Sequence, residues 1–238
     1  MPAVVPALAE RRLRVAANAS RRQSSWLIWL AIALVSLPVF VQAPWVHAHP
    51  LGATLATVPL LACGIALGQS EVPWRQQLGA LLVGFAGCWL GGSIFWGWFR
   101  LHPLWHLPLE GLALPLALAG LGSRWRLAGA FYLASLLGTA ATDGAMALIG
   151  VMRQWPAVLS AHGVDALSLL QQAALTAIHP AHLLIITAMA AGLVAISRWL
   201  WSQGGIARIS SATVLSTLVV DGLFLALALL APQLSGLI

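Results

Sequence analysis

Three carboxylic acids lie inside long apolar stretches of this sequence. The chain has only six acids in 238 residues, and three of them, Glu110, Asp143 and Asp221, have apolar residues on both sides. A charged side chain in hydrocarbon costs at least about 2.5 to 3.5 kcal/mol on membrane-insertion scales. We therefore expect each of these acids to have a partner or a function.

Two of the acids end matching polar stripes. Each stripe carries hydroxyl residues eight and four positions before an aspartate: Ser135, Thr139 and Asp143 in one stripe, and Thr213, Thr217 and Asp221 in the other. A step of four residues places each trio on one face of a helix. The spacing predicts two polar stripes that face a shared interior.

Histidines form a second group. His102, His106 and Glu110 are spaced by four residues, and His179 and His182 by three. Neutral imidazoles and a carboxylate on one helical face suit zinc or another transition metal, and they also suit a proton relay. Prolines beside both groups interrupt regular helix, or mark a broken helix whose freed backbone groups line a site.

Depth within the predicted spans suggests that these residues meet. Counted at about 1.5 Å per residue, the acids and the His179 and His182 pair lie roughly 8 to 18 Å from the outer ends of their spans. The predicted substrate- or ion-binding residues are Glu110, Asp143, Asp221, His179, His182, Thr139 and Thr217. His102 and His106 are the predicted metal ligands, near the mouth of the site, and no catalytic residue is predicted.

Simpler roles stay open for the same residues. The two aspartates can be protonated packing residues that join helices through hydrogen bonds, because hydrocarbon disfavours a charged carboxylate. His102 and His106 can lie among lipid headgroups, and His179 and His182 can make ordinary bonds between helices.

The composition identifies the elements that must position these residues. Apolar residues make up 60% of the chain and charged residues 8%, whereas soluble proteins have about 25% charged residues. The net charge of +6 comes from arginines scattered between apolar runs, which argues for a lipid bilayer and against a nucleic-acid partner. The predicted fold is an all-α polytopic transmembrane bundle.

Division at charges, prolines and polar stretches predicts about seven spans, with six as the alternative. They cover residues 26–43, 51–69, 76–99, 104–121, 127–151, 173–197 and 210–232. The predicted domains are an Arg-rich cytoplasmic tail at 1–25 and a single transmembrane helical domain at 26–238. The connection 152–172 is expected to form a short helix at the outer interface, broken near Gly163.

Arginines predict the orientation. With seven spans, ten of the twelve arginines lie on one side of the membrane, and only Arg100 and Arg153 lie on the other. Positive residues accumulate on the cytoplasmic side, so the N terminus is predicted to be cytoplasmic and the C terminus opposite.

Small residues recur in the third span. Ala80, Gly84, Cys88 and Gly92 are spaced by four, which lets two helix backbones approach closely. The pattern predicts a central helix, with a contact in a homo-oligomer as the alternative.

Three stretches of the sequence carry a family resemblance: VSLPVFVQAPWV, HPLWHLPLEGLALPLAL and FYLASLLGTAATDGAMAL. They resemble an uncharacterised family of cyanobacterial integral membrane proteins, known as a domain of unknown function, from about residue 26 to near the C terminus. The resemblance implies a location in the plasma or thylakoid membrane of a photosynthetic bacterium. It implies no activity and no site residues.

Three functional hypotheses follow. The first is a proton- or cation-linked transporter or solute-binding protein that uses the intramembrane acids. The second is a pigment- or haem-binding protein or an assembly factor of a photosynthetic complex, with His106, His179 or His182 as axial ligand of a tetrapyrrole. The third is an intramembrane enzyme acting on a lipid-like substrate, which ranks last because no nucleophile accompanies the acids and histidines. A metal ion is the other cofactor considered, and a homo-oligomer or a membrane complex partner stays open.

Overall fold

A computed structural model describes residues 25–234, and every regular element in that part of the chain is helical. Most of the predicted tail, residues 1–24, lies outside the described residues, as do residues 235–238. The α-helices are α1 Ser25–Leu37, α2 Ala43–Ala48, α3 Pro50–Leu55, α4 Thr57–Gly68, α5 Pro73–Ile94, α6 His106–Glu110, α7 Leu114–Gly120, α8 Arg126–Leu148, α9 Trp155–Ser160, α10 Gly163–Ala177, α11 Pro180–Gln203 and α12 Gly205–Leu230. A π-helical segment at Pro38–Gln42 joins α1 to α2, and another at Phe95–Phe99 extends α5.

Proline and glycine set several helix boundaries. Helices α3, α5 and α11 have proline at their first position, where the missing N–H has no partner in the helix to lose. The turn between α11 and α12 consists of Gly204, with φ of 74°, and Gly205, with φ of 51°. Residues with a Cβ rarely adopt these angles, so the two glycines allow α12 to fold back directly onto α11.

Four helical segments of the described part are long and apolar enough to cross a membrane. They are Pro50–Gly68, Pro73–Phe99, Pro180–Gln203 and Gly205–Leu230. Two bent pairs raise the number to six if each is one span: Ser25–Leu37 with Phe40–Ala48, bent by 41°, and Arg126–Leu148 with Val151–Ser160, bent by 86°. The predicted count of seven is therefore not established by helix length and composition.

Two predicted spans need correction. The predicted span 173–197 combines the end of α10 with most of α11, because helix is disfavoured directly before a proline and His179, which precedes Pro180, has ψ of 137°. The predicted span 104–121 is not one helix, because a turn at 111–113 divides it into α6 and α7. By contrast, the predicted break near Gly163 is confirmed, since α9 ends at Ser160 and α10 begins at Gly163.

The long helices α5, α8 and α12 run in the same direction. Gly84 and Gly87 of α5 lie beside Ala128 and Tyr132 of α8, so the residue numbers rise together along the two helices. The same holds for α8 and α12, where Ala130 meets Ser210, Gly138 meets Thr217 and Thr142 meets Asp221. Because α5 and α8 are parallel, the chain between the end of α5 and the start of α8 must run back along them.

The segment 103–120 makes this return. His106 at its start lies beside Asp143, near the end of α8, and Ala117 lies beside Gly129, near the start. The fourteen residues of α8 between these two contacts correspond to about 21 Å of helix. The broken segment thus runs antiparallel to α8 over much of its length.

Helix α5 is the central helix, as predicted. Within its most apolar stretch 61% of the residues are buried, against 11% to 22% in the other three long candidate spans. Its small residues meet backbone: a Cβ built at Gly84 would lie 2.6 Å from the Ala128 oxygen. Leu81, Phe85 and Trp89 of α5 form the main apolar cluster with residues of α1 and α8.

Candidate functional site

The candidate site lies where the broken segment meets α5 and α8. Tyr132, the single tyrosine of the chain, reaches from α8 to the break between α6 and α7. Its hydroxyl donates to the Glu110 carbonyl and accepts from the Ala113 N–H at 3.1 Å. Backbone groups that a break in a helix releases need such partners in an apolar interior. Tyr132 therefore stabilises the break and fixes the position of Glu110.

His106 lies between two carboxylic acids. Its Nδ1 is 3.0 Å from both side-chain oxygens of Asp143, and its Nε2 is 4.0 Å from Oε1 of Glu110. Because an ionised carboxylate only accepts hydrogen bonds, Nδ1 is the donor to Asp143 in that state. Nε2 then faces Glu110 at a distance longer than a hydrogen bond but within the range of an ion pair. The imidazole is therefore hydrogen-bonded to Asp143 and only near Glu110.

A ring contact and two glycines of α5 allow this arrangement. The ring of Phe95 lies 4.3 Å from that of His106, measured between centroids. A Cβ on Gly91 would lie 2.7 Å from the Leu109 oxygen, so only glycine lets α6 approach α5 this closely. Next to it, the side chains of Gln42 and Glu110 converge over Gly92.

Gln42 connects the site to the bend after α1. Its side-chain nitrogen donates to the Trp89 carbonyl at 2.6 Å and to the Ser93 hydroxyl at 2.7 Å. Gln42 is 3% exposed and Ser93 is fully buried. The Gln42 side chain also lies over Gly92 beside that of Glu110, so polar groups of the bend, α5 and α6 meet here.

Asp221 approaches α8 on a different face. It accepts a hydrogen bond from Thr142, which directly precedes Asp143 in α8. Neighbouring residues of a helix project about 100° apart, so α8 presents Asp143 to α6 and Thr142 to α12. Asp143 and Asp221 are nevertheless close enough for their charges to interact.

The structure brings together some of the residues singled out in the sequence and separates others. Glu110, Asp143 and Asp221 lie in one neighbourhood, together with His106. Thr217 packs over Gly138 and donates to the Val214 carbonyl in its own helix. The side chain of Thr139 on α8 has no hydrogen bond to another described residue, and His102 is exposed after the π-helical segment Phe95–Phe99.

His179 and His182 lie in a separate place. Their rings are 5.4 Å apart, and Nδ1 of His182 donates to the Thr176 carbonyl of α10 at 2.7 Å. They line an open groove of about 490 Å³ with Gln172 and Leu175. Their depth was predicted from a span beginning at 173, whereas α11 begins at Pro180, so both histidines lie at the start of a helix.

The described residues offer no complete set of metal ligands. Among residues 25–234, no three side chains of His, Cys, Asp or Glu are arranged to hold one metal ion. His106 has two acids beside it, but Glu110 and Asp143 lie on its two different ring nitrogens. A metal ion on either ring nitrogen would therefore have only one of the two acids on its side of the ring.

Sequence reasoning missed three residues of the site: Gln42, Tyr132 and Thr142. Each had a usable signal, because Gln42 and Tyr132 are rare polar residues in apolar stretches and Thr142 directly precedes an acid. The search for residues spaced by four passed over all three. Such a search finds one face of one helix and not the neighbour across it.

Comparison with known proteins gives a family and nothing closer. No curated protein matches the chain, and no solved structure matches it. Residues 31–229, most of the 238, match the model of a family described as Protein of unknown function (DUF3120). The chain belongs to the DUF3120 family.

Proposed function

We propose that this chain is an integral membrane protein with seven crossings, of which the broken segment 103–120 is the fourth. The parallel directions of α5 and α8 support this count, because the chain between them must return across the bundle. We place the N terminus in the cytoplasm on the distribution of arginines. The plasma or thylakoid membrane of a photosynthetic bacterium is the location that the sequence resemblance implies.

We propose further that the protein is a proton- or cation-linked transporter or solute-binding protein. One observation carries the proposal: His106 is hydrogen-bonded to Asp143 and lies within ion-pair distance of Glu110, next to a break in a helix. Histidine exchanges protons near neutral pH, and acids beside it offer sites for the proton on either ring nitrogen. Polar groups at broken helices within a bundle are typical of the binding sites of secondary transporters.

The hydroxyl of Thr142 adds a second argument for proton linkage. It lies within hydrogen-bond distance of the Gly138 carbonyl, at 3.1 Å, and of the Asp221 carboxyl group. A hydroxyl has one proton, so it donates fully to only one of two acceptors. When Asp221 is protonated, its own O–H donates to Thr142, which then donates to Gly138, and all partners are satisfied. Thr142 can therefore hydrogen-bond fully to both Gly138 and Asp221 only when Asp221 is protonated.

The proposal is tested by proton flux into liposomes that contain the purified protein and a pH-sensitive dye. Asp143→Asn and Asp221→Asn keep the size and polarity of the side chains but remove their exchange of protons. We expect each variant to lower proton flux at least tenfold, and the double variant to abolish it, at unchanged protein abundance.

A matched control uses an acid outside the site. Asp165 is exposed in the first turn of α10, so Asp165→Asn removes the same charge without affecting His106 or Thr142. We expect this variant to retain at least half of the flux. Equal flux in the wild-type protein and the double variant, or no flux above that of empty liposomes, contradicts proton-linked transport.

The groove at His182 favours a second candidate function, tetrapyrrole binding. Nδ1 of His182 donates to a backbone carbonyl, which leaves Nε2 as the free ligand atom, and second bonds of this kind orient axial histidines. We expect a visible absorption band in gently purified protein that is lost in His182→Ala and kept in His162→Ala, a change at an exposed histidine. Colourless wild-type protein contradicts this candidate.

A further inference from the structure

A groove separates α1 from α12 on the outer surface of the bundle. Its volume is about 400 Å³, and its walls are almost entirely apolar. Ile28 and Ile32 line it from α1, Leu215 and Val219 from α12, and Trp201 from the end of α11. In a membrane this groove faces hydrocarbon, so an elongated apolar group fits it.

The groove follows the helix axis. Its α12 wall extends over residues 212–220, which corresponds to about 12 Å of helix. Trp201 lines one end, beside the turn between α11 and α12, and the other end reaches the middle of α12. A linear chain that enters from the Trp201 end therefore lies along α12 towards the centre of the bundle.

An arginine stands at the Trp201 end. Arg208 precedes Ala212 of the groove by four residues, which places the two on one face of α12. Its Cζ lies 5.5 Å from the centroid of the Trp201 ring, and its Nε donates to the Trp201 carbonyl at 3.3 Å. These contacts hold the guanidinium group at the groove entrance, with its two terminal amino groups available to an anion.

We propose that this groove binds one acyl chain of an anionic phospholipid, with the phosphate on Arg208. The guanidinium group forms paired hydrogen bonds with phosphate oxygens, and the apolar walls contact the chain. The arginine-rich end of the bundle is the cytoplasmic end in the orientation proposed above, where anionic lipids attract positive residues. The inference rests on that orientation and not on transport.

The chain contains a matched control for the charge. Arg75 lies over Trp74 with its Cζ 5.4 Å from the ring centroid, a similar distance, at the same end of the bundle. Trp74 is 48% exposed and Trp201 is 46% exposed. Trp74 does not line the α1–α12 groove. Arg75→Gln therefore removes an equivalent charge without affecting the proposed site.

The experiment is native mass spectrometry of protein released from vesicles of equal parts phosphatidylglycerol and phosphatidylcholine. We expect the wild-type protein and Arg75→Gln to retain one phosphatidylglycerol molecule. Arg208→Gln should lower that retention at least tenfold. Val219→Trp, which fills the groove at a residue 68% exposed, should lower retention of either lipid.

Three results overturn the proposal. They are no lipid on the wild-type protein, equal loss in Arg208→Gln and Arg75→Gln, and a dimer without lipid that Val219→Trp dissociates. The last result assigns the groove to a second copy of the chain. Normal proton flux in Arg208→Gln leaves the transport proposal intact, so the two proposals fail independently.

Discussion

At the scale of single residues, the site depends on which atoms share each proton. Asp143 keeps both oxygens at 3.0 Å from Nδ1 of His106, and it is only 9% exposed. Removal of one partner leaves the other in an apolar interior without compensation, which costs more than the hydrogen bond itself contributes. His106, Asp143 and Glu110 therefore act as one unit, and single substitutions in it should not be additive.

Thr142 and Thr139 offer a matched pair of variants on α8. Thr142→Val removes the hydrogen bond to Asp221, whereas the side chain of Thr139 has no hydrogen bond to another described residue. We expect Thr142→Val to lower proton flux in liposomes at least fivefold and the stability by about 0.6 kcal/mol, the average for hydrogen bonds between membrane helices. Thr139→Val should change flux by less than twofold. Equal effects of the two variants would show that the contact with Asp221 is irrelevant.

The sequence predicted part of this site for a physical reason. Acids are costly in hydrocarbon, so Glu110, Asp143 and Asp221 had to find partners, and they lie near one another. Spacing could not predict that His106 is the link, because the contact depends on how α6 leaves the helical path after Pro103. Nor could spacing show that His179 and His182 lie apart from the acids, because their position depends on the start of α11 at Pro180.

At the scale of elements, the break between α6 and α7 is the feature that creates the site. Tyr132→Phe removes the hydroxyl that bonds the Glu110 carbonyl and the Ala113 N–H. Two backbone groups then lose their partner in an apolar interior, and we expect the free energy of unfolding to fall by about 1 to 3 kcal/mol. Thermal unfolding in detergent, followed by intrinsic fluorescence, measures this loss.

The control for that variant is Thr54→Val. The hydroxyl of Thr54 bonds only the Pro50 carbonyl of its own helix. Its loss should change stability by less than about 0.5 kcal/mol, as for substitutions away from special contacts. If Tyr132→Phe is as stable as the control, the hydroxyl does not stabilise the break.

Close approach of α5 to α6 gives a second prediction for this element. A Cβ on Gly91 would lie 2.7 Å from the Leu109 oxygen and 2.8 Å from the Glu110 Cα. Gly91→Ala must push α6 away from α5, and we expect it to cost about 1 to 3 kcal/mol in stability, typical of overpacking. Displacement of His106 from Asp143 should also lower proton flux.

Gly192 is the matched control for Gly91. It lies within α11, and apart from its chain neighbours and the backbone of its own helix no atom lies within 4 Å of a Cβ built there. Gly192→Ala should leave stability unchanged or raise it by up to about 1 kcal/mol, because alanine is the better helix former. A stable, active Gly91→Ala variant would contradict the tight contact between α5 and α6.

At the scale of the whole molecule, apolar composition predicted the helical class, and small residues predicted the central position of α5. The number of crossings was harder to predict because 103–120 is apolar but contains three prolines, which break helices without changing hydropathy. The directions of neighbouring helices bear on the number of crossings, which helix length alone does not determine. The starts of α5, α8 and α12 lie at one end of the bundle, so the connections before them share that end.

This arrangement of ends predicts which connections share a side of the membrane. Single cysteines at Gln69, before α5, and at Ser123, before α8, should react with a membrane-impermeant maleimide from the same side, in a background with Cys63 and Cys88 replaced by serine. Ser160→Cys, at the end of α9, should react from the opposite side. With the arginine-rich end inside, Gln69→Cys and Ser123→Cys are labelled in inverted vesicles and Ser160→Cys in intact cells. Labelling of Ser123→Cys in intact cells, with Gln69→Cys protected, would mean that the segment 103–120 does not return across the membrane, and the count of seven crossings would fall with it.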